Sequence, residues 1–276
     1  MNIKEIITTA QKIIKTLDAE ILACEVFNIS KTQLITKSEE KISVELQKKF
    51  LDCVQQRKNG QSISEILKRK NFYGYDFIVN NDVLTPRPET EILVENAFEY
   101  IQENDIQEII DIGTGSGCII ITLALLLEKI NNNTYKKFLA VDISEKALQI
   151  AKENAEKFDQ QKNIIFKKSD LLSQIKNTEI ENACIITNLP YIPESDILAK
   201  EVINGDPKLA LFSGKKGSDL YTQFFNQLPD TFSAVFFEFD PPQQKYFQKL
   251  LSEKFTKRKI YFFPDYSGDI RFGKVI

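Results

Sequence analysis

The spacing of apolar residues divides the chain into two regions with different periodicity. Near the N-terminus, apolar residues recur three and four positions apart, as on one face of an α-helix. Residues 3–17, 21–27 and 44–54 share this spacing, which predicts a small helical bundle. From Glu108 onward, short apolar runs alternate with helical patterns. That alternation predicts a mostly parallel twisted sheet with right-handed crossovers and helices on both faces.

The second region can be divided into individual elements. We predict a helix at 89–102, strands at 108–112, 138–142, 164–168, 183–187, 234–239 and 259–263, helices that begin near Ser116, Ser144, Ser218 and Pro242, and a strand at 271–275 that closes the sheet. Between the two regions, residues 72–79 and 83–84 flank a polar turn at 80–82, which predicts a β-hairpin. The predicted organisation is a helical domain at 1–70, a hairpin linker at 71–85 and an α/β domain at 86–276.

Composition limits the classes of protein that fit this pattern. The 276 residues are 42% hydrophobic and 27% charged, which is typical of a globular protein rather than a disordered one. A net charge of −3 without a long basic stripe argues against direct nucleic-acid binding. Four scattered cysteines and no histidine give no plausible metal site. Without a signal-peptide core or an apolar run that could span a bilayer, we expect a cytoplasmic protein without membrane contact.

A glycine-rich loop is the first candidate for chemistry. Its sequence is Asp111-Ile112-Gly113-Thr114-Gly115-Ser116-Gly117, and it follows an apolar strand and opens an apolar helix. Glycines let the backbone turn sharply and approach a ligand closely at a helix N-terminus. The fingerprint of dinucleotide-binding proteins would place its third glycine at position 118, where Cys118 stands. The glycine at 117 instead favours S-adenosylmethionine over NAD.

Two acidic residues follow the next two strands. Asp142 ends the strand at 138–142, where a carboxylate can accept both hydroxyls of a ribose. The alternative for Asp142 is an acid at a helix N-terminus, ahead of Ser144. Asp170 could accept a hydrogen bond from the adenine amine while Leu171 packs on the base. Those two residues could equally be a helix cap and a core residue.

A second motif, Asn188-Leu189-Pro190-Tyr191, follows the apolar run at 183–186. The Asn188 side-chain oxygen and the Leu189 carbonyl could hold both N–H bonds of a planar nitrogen and aim its lone pair at a sulfonium methyl group. The same oxygens would stabilise the positive charge that then grows on the nitrogen. The simpler interpretation is a strand that ends in an Asn/Pro turn. The order of the elements favours methyl transfer, because ligands of open α/β sheets bind beyond the carboxyl ends of the strands.

Four stretches that together cover nearly the whole chain resemble the bacterial PrmC/HemK family of protein-(glutamine) methyltransferases. They are Phe72-Tyr73-Gly74 followed by residues 84–91 (Leu-Thr-Pro-Arg-Pro-Glu-Thr-Glu), the glycine loop with Asp142, the stretch 188–193, which is similar to the family's Asn-Pro-Pro-Tyr, and residues 206–211 with Gly214 and Gly217. The resemblance implies a Rossmann-like class I S-adenosylmethionine-dependent methyltransferase domain and an N-terminal domain that docks the substrate. The implied substrate is the glutamine of the Gly-Gly-Gln motif in class I peptide chain release factors.

The resemblance also implies roles for individual residues. The loop from Gly113 to Gly117 would hold the methionine end of S-adenosylmethionine, and Asp142 would hold its ribose. Asn188 and the carbonyl of the next residue would bind the substrate amide, with Tyr191 packed beside it. Arg87 is expected near the mouth of the site, in a Pro-Arg-Pro segment that also serves as a rigid connection.

One residue and one short segment depart from the family pattern. Leu189 replaces a proline and so removes a restraint on φ, although Pro190 still biases residue 189 towards extended geometry. Residues 61–66 differ from the Pro-Ile-Ala-Tyr-Ile type of sequence expected before the hairpin. The second departure concerns partner docking rather than the chemistry.

Two other functions fit parts of the pattern. Asn-Leu-Pro-Tyr also resembles the motif of ribosomal RNA adenine dimethyltransferases, which makes an adenine exocyclic-amine methyltransferase acting on RNA or DNA the main alternative. The negative net charge and the segment at 86–91 argue against it. Leu189 and the altered segment at 61–66 motivate a second alternative, a non-catalytic protein that binds S-adenosylmethionine.

Overall fold

The computed structural model describes residues 1–130 and 136–276, with Lys200 described by its backbone alone. The chain forms two compact units, Met1–Arg69 with Leu198–Gly205 and Lys70–Ile197 with Asp206–Ile276. The division into domains at 70 and 85 stays a prediction, and nothing in the sequence pattern assigns residues 198–205 to the first unit. None of the helices in the described residues is long and apolar enough to cross a membrane.

The first unit consists of short helices around an apolar core. Its helices are α1 (Ile3–Gln11), α2 (Thr16–Phe27), α3 (Lys31–Thr36), α4 (Val44–Lys58), α5 (Ile63–Leu67) and, from later in the chain, α10 (Lys200–Gly205). Phe50 of α4 is fully buried in this core. Arg57 on the same helix pairs with Asp18 of α2 at 2.6 Å and with Glu201 of α10 at 2.8 Å. These ion pairs attach the returning segment to the first unit.

The helical predictions for this unit need two corrections. The segment 3–17 is not one helix, because α1 ends at Gln11 and α2 begins at Thr16. The apolar spacing continues across the turn between them, so periodicity alone does not reveal the break. The short helices α3 and α5 are not among the predicted ones. Each begins with a capping box, at Ser30 and at Ser62, which is a local signal that a hydrophobic pattern does not contain.

The hairpin between the two regions turns earlier than predicted. Its strands are β1 (Arg69–Phe72) and β2 (Tyr75–Ile78). Tyr73 and Gly74 form the turn with φ angles of 52° and 79°, and two positive φ angles are typical of a type I′ hairpin turn. The predicted turn at 80–82 is an Asx turn after β2, in which Asn80 Oδ1 accepts from the backbone N–H of Asp82. The prediction placed the turn at 80–82 because three consecutive polar residues indicate a turn more strongly than the single glycine at position 74.

The second unit is built on a seven-stranded sheet. In chain order its elements are α6 (Thr90–Glu103), β3 (Glu108–Ile112), α7 (Cys118–Lys129), β4 (Lys137–Asp142), α8 (Glu145–Lys157), β5 (Ile164–Lys168), α9 (Asn177–Ile180), β6 (Cys184–Thr187), α11 (Asp219–Gln227), β7 (Ala234–Glu238), α12 (Gln244–Lys254), β8 (Ile260–Pro264) and β9 (Ile270–Val275), with 3-10 turns at Lys208–Ala210 and Pro241–Gln243. The strand order is β5-β4-β3-β6-β7-β9-β8. Strands β3 to β7 are parallel, and the order reverses at β3, from which the chain first builds outward to β5 and then returns to β6.

Alternate residues of the central strands face opposite sides of this sheet. Ile109 packs in an apolar cluster with residues of α6 and α7, whereas Ile110 packs in a second cluster with residues of α11 and α12. Both faces are therefore covered, which is why the strands are continuous apolar runs in the sequence. The mostly parallel α/β architecture with helices on both faces is confirmed.

The last strand differs from its predicted position. Strand β9 does not lie at the edge of the sheet but pairs antiparallel with both β7 and β8. A short turn after β8 returns the chain beside it, so β9 fills the place between β8 and β7. Gly273 of β9 lies over Phe237, and a Cβ atom there would come within 2.2 Å of Phe237 Cζ. Only a residue without a side chain fits this contact.

We expect Gly273→Ala to destabilise the second unit by about 1–3 kcal/mol, because the added methyl group overpacks against a buried ring. Gly205→Ala is the control, since its Cβ would meet the Glu65 side chain, which can move at the cost of one capping hydrogen bond to Ser62. Urea denaturation measures both changes. Equal effects of the two substitutions would contradict the packing argument.

Candidate active site

A cavity of about 230 Å³ lies at the carboxyl ends of β3, β4, β5 and β6. This is the point where the strand order reverses, the usual ligand site of open α/β sheets. Most of the predicted site residues line it: Arg87, Gly113, Thr114, Gly115, Ser116, Asp142, Asp170, Leu171, Asn188, Leu189 and Pro190. Asp111, Gly117 and Tyr191 do not belong to the lining.

The glycine loop after β3 is held by its neighbour β4. The backbone N–H groups of Gly113 and Thr114 both donate to the carbonyl of Val141, at 2.8 and 2.9 Å. Gly115 has a φ of +55°, and a Cβ atom on it would find only the Gly113 carbonyl, at 3.9 Å. The backbone there faces open space at the cavity. The loop therefore has the shape that close approach of a ligand to the backbone requires.

Asp111 supports the loop from below instead of lining the cavity. Its side chain is fully buried, and Oδ2 accepts from the Thr114 hydroxyl at 2.7 Å. Oδ1 has no hydrogen-bond partner among the described residues. Burial raises the pKa of Asp111 to about 7, and the nearby Asp142 charge acts in the same direction. The Thr114 hydrogen bond opposes this shift and fixes the carboxyl group to the loop.

Asp142 joins the glycine loop to the start of α8. Its Oδ2 accepts from the Gly115 N–H and its Oδ1 from the Ser144 N–H, both at 2.9 Å. Ser144 is the N-cap of α8, so Asp142 lies at a helix N-terminus as one interpretation expected, and its role in binding a ribose stays a prediction. Each carboxylate oxygen keeps a second lone pair with which it can accept another hydrogen bond. Burial raises the pKa of Asp142.

Two further predicted residues line the cavity after β5. Asp170 is exposed, and its carbonyl accepts from the Ser173 N–H at 3.0 Å. Leu171 is buried in the apolar cluster that includes α11, and its φ of 50° turns the chain sharply. Leu171 is thus a core residue and a wall of the cavity at the same time.

Asn188, directly after β6, presents a free oxygen. Its Nδ2 donates to the Thr90 hydroxyl at 3.1 Å, and that hydroxyl donates to Glu238 Oε2 at 2.7 Å. A hydroxyl has one proton, so Thr90 accepts from Asn188 when it donates to Glu238. This fixes the orientation of the Asn188 amide. Asn188 Oδ1 is buried and has no partner among the described residues.

Leu189 makes a contact that proline could not make. Its N–H donates to the Tyr221 hydroxyl at 3.0 Å, and Tyr221 in turn donates to the backbone carbonyl of Glu238. The leucine side chain is buried, and a Cβ atom on Gly113 would be 3.0 Å from its Cδ2. A proline at position 189 would restrain the φ angle of that residue through its ring. Here the hydrogen bond from the Leu189 N–H holds the backbone at the same position.

Tyr191 is not one of the residues that line the cavity. Its hydroxyl donates to Glu238 Oε1 at 3.1 Å, and its carbonyl accepts from Gln243 Nε2 at 2.9 Å. Burial, together with the Glu238 charge, raises the pKa of Tyr191. In this structure Tyr191 supports the loop that carries Asn188, and its expected position beside a substrate amide stays a prediction.

Arg87 lies at the cavity and is held by an ion pair. Its Nη2 donates to Asp206 Oδ2, and Asp206 Oδ1 accepts from the Thr85 N–H at 2.8 Å. The Asp206 side chain is almost completely buried, whereas about a third of the Arg87 side chain is exposed. Both interpretations of the Pro-Arg-Pro segment are compatible with this arrangement, since the ion pair makes the segment rigid at the cavity.

The sequence analysis missed three residues that support the site, Thr90, Tyr221 and Glu238. Glu238 did carry a signal, because it is the one charged residue of the apolar run at 234–239, at the carboxyl end of a predicted strand. Asn154 of α8 was also missed. Its side chain is fully buried and binds the backbone of Ile78 and the carbonyl of Ser116, which ties β2 to the glycine loop.

Comparison with known proteins identifies the family. A family model described as PrmC N-terminal domain matches residues 7–67, and one described as Methyltransferase domain matches 103–212. The release factor glutamine methyltransferase of Bacillus cereus is 35% identical over 260 residues, which are 91% of this chain and 89% of the relative. That of Koribacter versatilis is 36% identical over 214 residues, which are 77% and 73%.

A solved structure shows the same fold. The catalytic domain of hMettl16, in complex with hairpin 1 of the MAT2A 3′UTR, superposes with a TM-score of 0.53 at 15% identity, over 84% of this chain and 80% of that one. Fold and family model together define an S-adenosylmethionine-dependent methyltransferase with a Rossmann-like domain. The chain belongs to the family of release factor glutamine methyltransferases.

We expect Asp142→Asn to weaken binding of S-adenosylmethionine by about tenfold or more, since the substitution removes the charge of the acceptor that is predicted to bind the ribose hydroxyls. The backbone N–H groups of Gly115 and Ser144 now each donate to one oxygen of the carboxylate. An asparagine side chain has only one oxygen, so its NH₂ group would face one of these two donors. Isothermal titration calorimetry measures the dissociation constant. Asp52→Asn, on the exposed side of α4, is the control. Unchanged affinity in Asp142→Asn would exclude Asp142 from the cofactor site.

Proposed function

We propose that this protein transfers a methyl group from S-adenosylmethionine to the side-chain amide nitrogen of the glutamine in the Gly-Gly-Gln motif of class I peptide chain release factors. The names of the relatives support release factor glutamine as the substrate. The observation that carries the proposal is the buried, unpartnered Oδ1 of Asn188, whose orientation is fixed by Thr90.

The chemical problem is that an amide nitrogen is a poor nucleophile, because resonance delocalises its lone pair into the carbonyl group. Asn188 Oδ1 accepts one N–H of the glutamine amide, and the carbonyl of Leu189 accepts the other. Held in this way, the nitrogen keeps its lone pair directed at the methyl group to be transferred. Positioning of this kind supplies a large part of the rate acceleration without a general base. The nitrogen–methyl bond forms as the sulfonium–methyl bond breaks, S-adenosylhomocysteine leaves as a neutral thioether at sulfur, and the methylated amide loses one N–H proton to solvent.

The same two oxygens also stabilise the positive charge that develops during the reaction. During the transfer, positive charge grows on the amide nitrogen, and hydrogen bonds to a charged donor are stronger than those to a neutral one. The acceptors therefore bind the transition state more tightly than the ground state, as catalysis requires. Their burial increases the effect, because little water screens the charge.

The hydrogen-bond donors and acceptors on one side of the cavity indicate how S-adenosylmethionine binds there. S-adenosylmethionine supplies an electrophilic methyl group on a sulfonium centre. The glycine loop from Gly113 to Gly117 holds the methionine end, and Asp142 accepts the ribose hydroxyls. Asp170 accepts from the adenine amine, while Leu171 packs against the base. Arg87 lies at the mouth, where the release factor enters.

The alternative functions are less well supported. The two relatives found by sequence, from Bacillus cereus and Koribacter versatilis, are both named release factor glutamine methyltransferase. Their names do not favour an adenine methyltransferase. The non-catalytic alternative was motivated by Leu189. Since the hydrogen bond from Leu189 to Tyr221 holds the substituted position, the substitution no longer argues against turnover.

The function is tested by incubating the protein with a class I release factor and S-adenosylmethionine and analysing the release factor by peptide mass spectrometry. We expect one added methyl group, located on the glutamine of Gly-Gly-Gln. A release factor whose glutamine is replaced is the control and should remain unmodified. A folded release factor that acquires no methyl group, with cofactor binding demonstrated, would contradict the proposal, and RNA would be tested next.

We expect Asn188→Ala to lower kcat by roughly 100-fold, the scale of losing one group that stabilises transition-state charge. The affinity for S-adenosylmethionine should change far less, because the main cofactor contacts lie on other loops. Asn226→Ala, at an exposed position of α11, is the matched control. Steady-state kinetics and calorimetry separate the two quantities. A kcat for Asn188→Ala close to that of the control would refute the role of Asn188.

A further inference from the structure

We propose that Glu238 is a positioning residue for methyl transfer: through the Thr90 hydroxyl it determines which way the Asn188 amide faces and so presents Oδ1 to the substrate. The proposal rests on the proposed function, because it concerns the same reaction. Glu238 need not touch either substrate, and it does not line the cavity.

The contacts of Glu238 form a short chain that we call the Glu238 relay, made of Glu238, Thr90 and Asn188. Glu238 is the last residue of β7, and its side chain is almost completely buried. Oε2 accepts from Thr90 at 2.7 Å, and Thr90 accepts from Asn188 at 3.1 Å. The other carboxylate oxygen accepts from the Tyr191 hydroxyl at 3.1 Å. Both oxygens are therefore engaged by donors.

The direction of each hydrogen bond follows from counting protons. An ionised carboxylate can only accept, so the single hydroxyl proton of Thr90 points at Glu238. Thr90 then has only lone pairs to offer Asn188, and the NH₂ end of the Asn188 amide must face it. The oxygen end is left for the substrate. A side chain at 238 that donates to Thr90 would remove this constraint, because Thr90 could then donate to Asn188 instead.

Glu238 reaches the second acceptor as well. Its backbone carbonyl accepts from the Tyr221 hydroxyl, and that hydroxyl accepts from the Leu189 N–H at 3.0 Å. Tyr221 is fully buried and its ring contacts Phe225, Phe237 and Phe247. The side-chain amide of Asn188 and the backbone N–H of Leu189, the residue that carries the second proposed acceptor, are thus both connected to Glu238. A rigid support of this kind is what precise positioning of an amide needs.

Charged and titratable groups around Glu238 act in both directions on its ionisation. Burial raises the pKa of Glu238, and the charge of Glu89 raises it further. The donors Thr90 and Tyr191 and the charge of Arg271 lower it. The Arg271 guanidinium is itself bound to Asp265 at 3.0 Å. Two further groups lie nearby: the Tyr221 hydroxyl at the Glu238 backbone carbonyl, and Arg87, whose charge acts on Tyr191.

A pH dependence follows from this arrangement. The raised pKa means that Glu238 takes up a proton at higher pH than an exposed glutamate would. The protonated form has an O–H that can donate to Thr90. The Thr90 hydroxyl can then turn its own proton towards Asn188, and the orientation of the Asn188 amide is no longer fixed. The relay is intact above the pKa of Glu238, and kcat falls as the pH falls through it.

The test compares Glu238→Gln, Thr90→Val and the double variant in steady-state methylation of a release factor. Each single substitution should lower kcat by about 10- to 100-fold, as a misplaced reacting group does, while KM changes less. The double variant should lose little beyond the larger single loss, because both substitutions break one chain. In Glu238→Gln the acidic fall in kcat should be smaller than in the wild-type protein, and what remains is the part caused by Asp111 and Asp142, whose pKa values burial also raises. Thr90→Ser, which keeps the hydroxyl, should recover most of the kcat that Thr90→Val loses.

Other outcomes would overturn the proposal. A buried glutamate with a purely structural role would, on substitution, lower the melting temperature without lowering the kcat of the folded fraction. Losses in the two single variants that simply add, or a Thr90→Ser variant no better than Thr90→Val, would also contradict the relay. If Glu238→Gln does not fold, Thr90→Val and Thr90→Ser decide the matter by themselves.

A readout without turnover separates this proposal from the proposed function. In NMR spectra of the wild-type protein, the side-chain NH₂ of Asn188 should show a hydrogen-bonded proton that is lost in Thr90→Val. Absence of any methyl transfer by the wild-type protein would refute the function, while the NMR result would still decide whether the relay exists. An Asn188 side-chain signal unaffected by Thr90→Val would refute the relay even in an active enzyme.

Discussion

The hydrogen bond from Asn188 to Thr90 is the interaction on which the site depends. An amide side chain has a donor end and an acceptor end of nearly the same shape, and only the acceptor end can hold the N–H groups of a substrate amide. The structure removes this ambiguity by placing the Thr90 hydroxyl next to Asn188: its single proton is donated to Glu238, so towards Asn188 it can only accept. A buried carboxylate, Glu238, makes the hydroxyl an acceptor. The proposed chemistry of the cavity thus depends on one buried carboxylate that does not line it.

The sheet brings the two halves of the cavity together. The glycine loop follows β3 and Asn188 follows β6, and these strands are neighbours in the sheet. Leu189 packs so close to Gly113 that a Cβ atom on Gly113 would be 3.0 Å from it. The glycine loop, which we propose holds the cofactor, therefore contacts the loop that we propose holds the substrate. A parallel sheet whose order reverses between β3 and β6 produces this contact without any residue specific to methyl transfer.

Local patterns in the sequence were sufficient for the strands of the sheet and for the glycine loop and the Asn188 motif at the cavity, because apolar runs and glycine spacing are properties of neighbouring residues. The supports of the site were not predictable in this way. Thr90 and Glu238 are 148 positions apart, and their hydrogen bond exists only once the sheet and α6 are packed. The hairpin turn at Tyr73 and Gly74 shows the opposite failure. Its signal was local, but a more polar stretch nearby outweighed it.

The most direct test of this account is a crystal structure of the protein with S-adenosylhomocysteine and a release factor. We predict that the nitrogen of the substrate glutamine lies within hydrogen-bonding distance, about 2.7–3.2 Å, of both Asn188 Oδ1 and the Leu189 carbonyl oxygen. Thr90 should remain bound to Asn188 Nδ2. A glutamine nitrogen held by other groups, or an Asn188 amide with its nitrogen towards the substrate, would contradict the account.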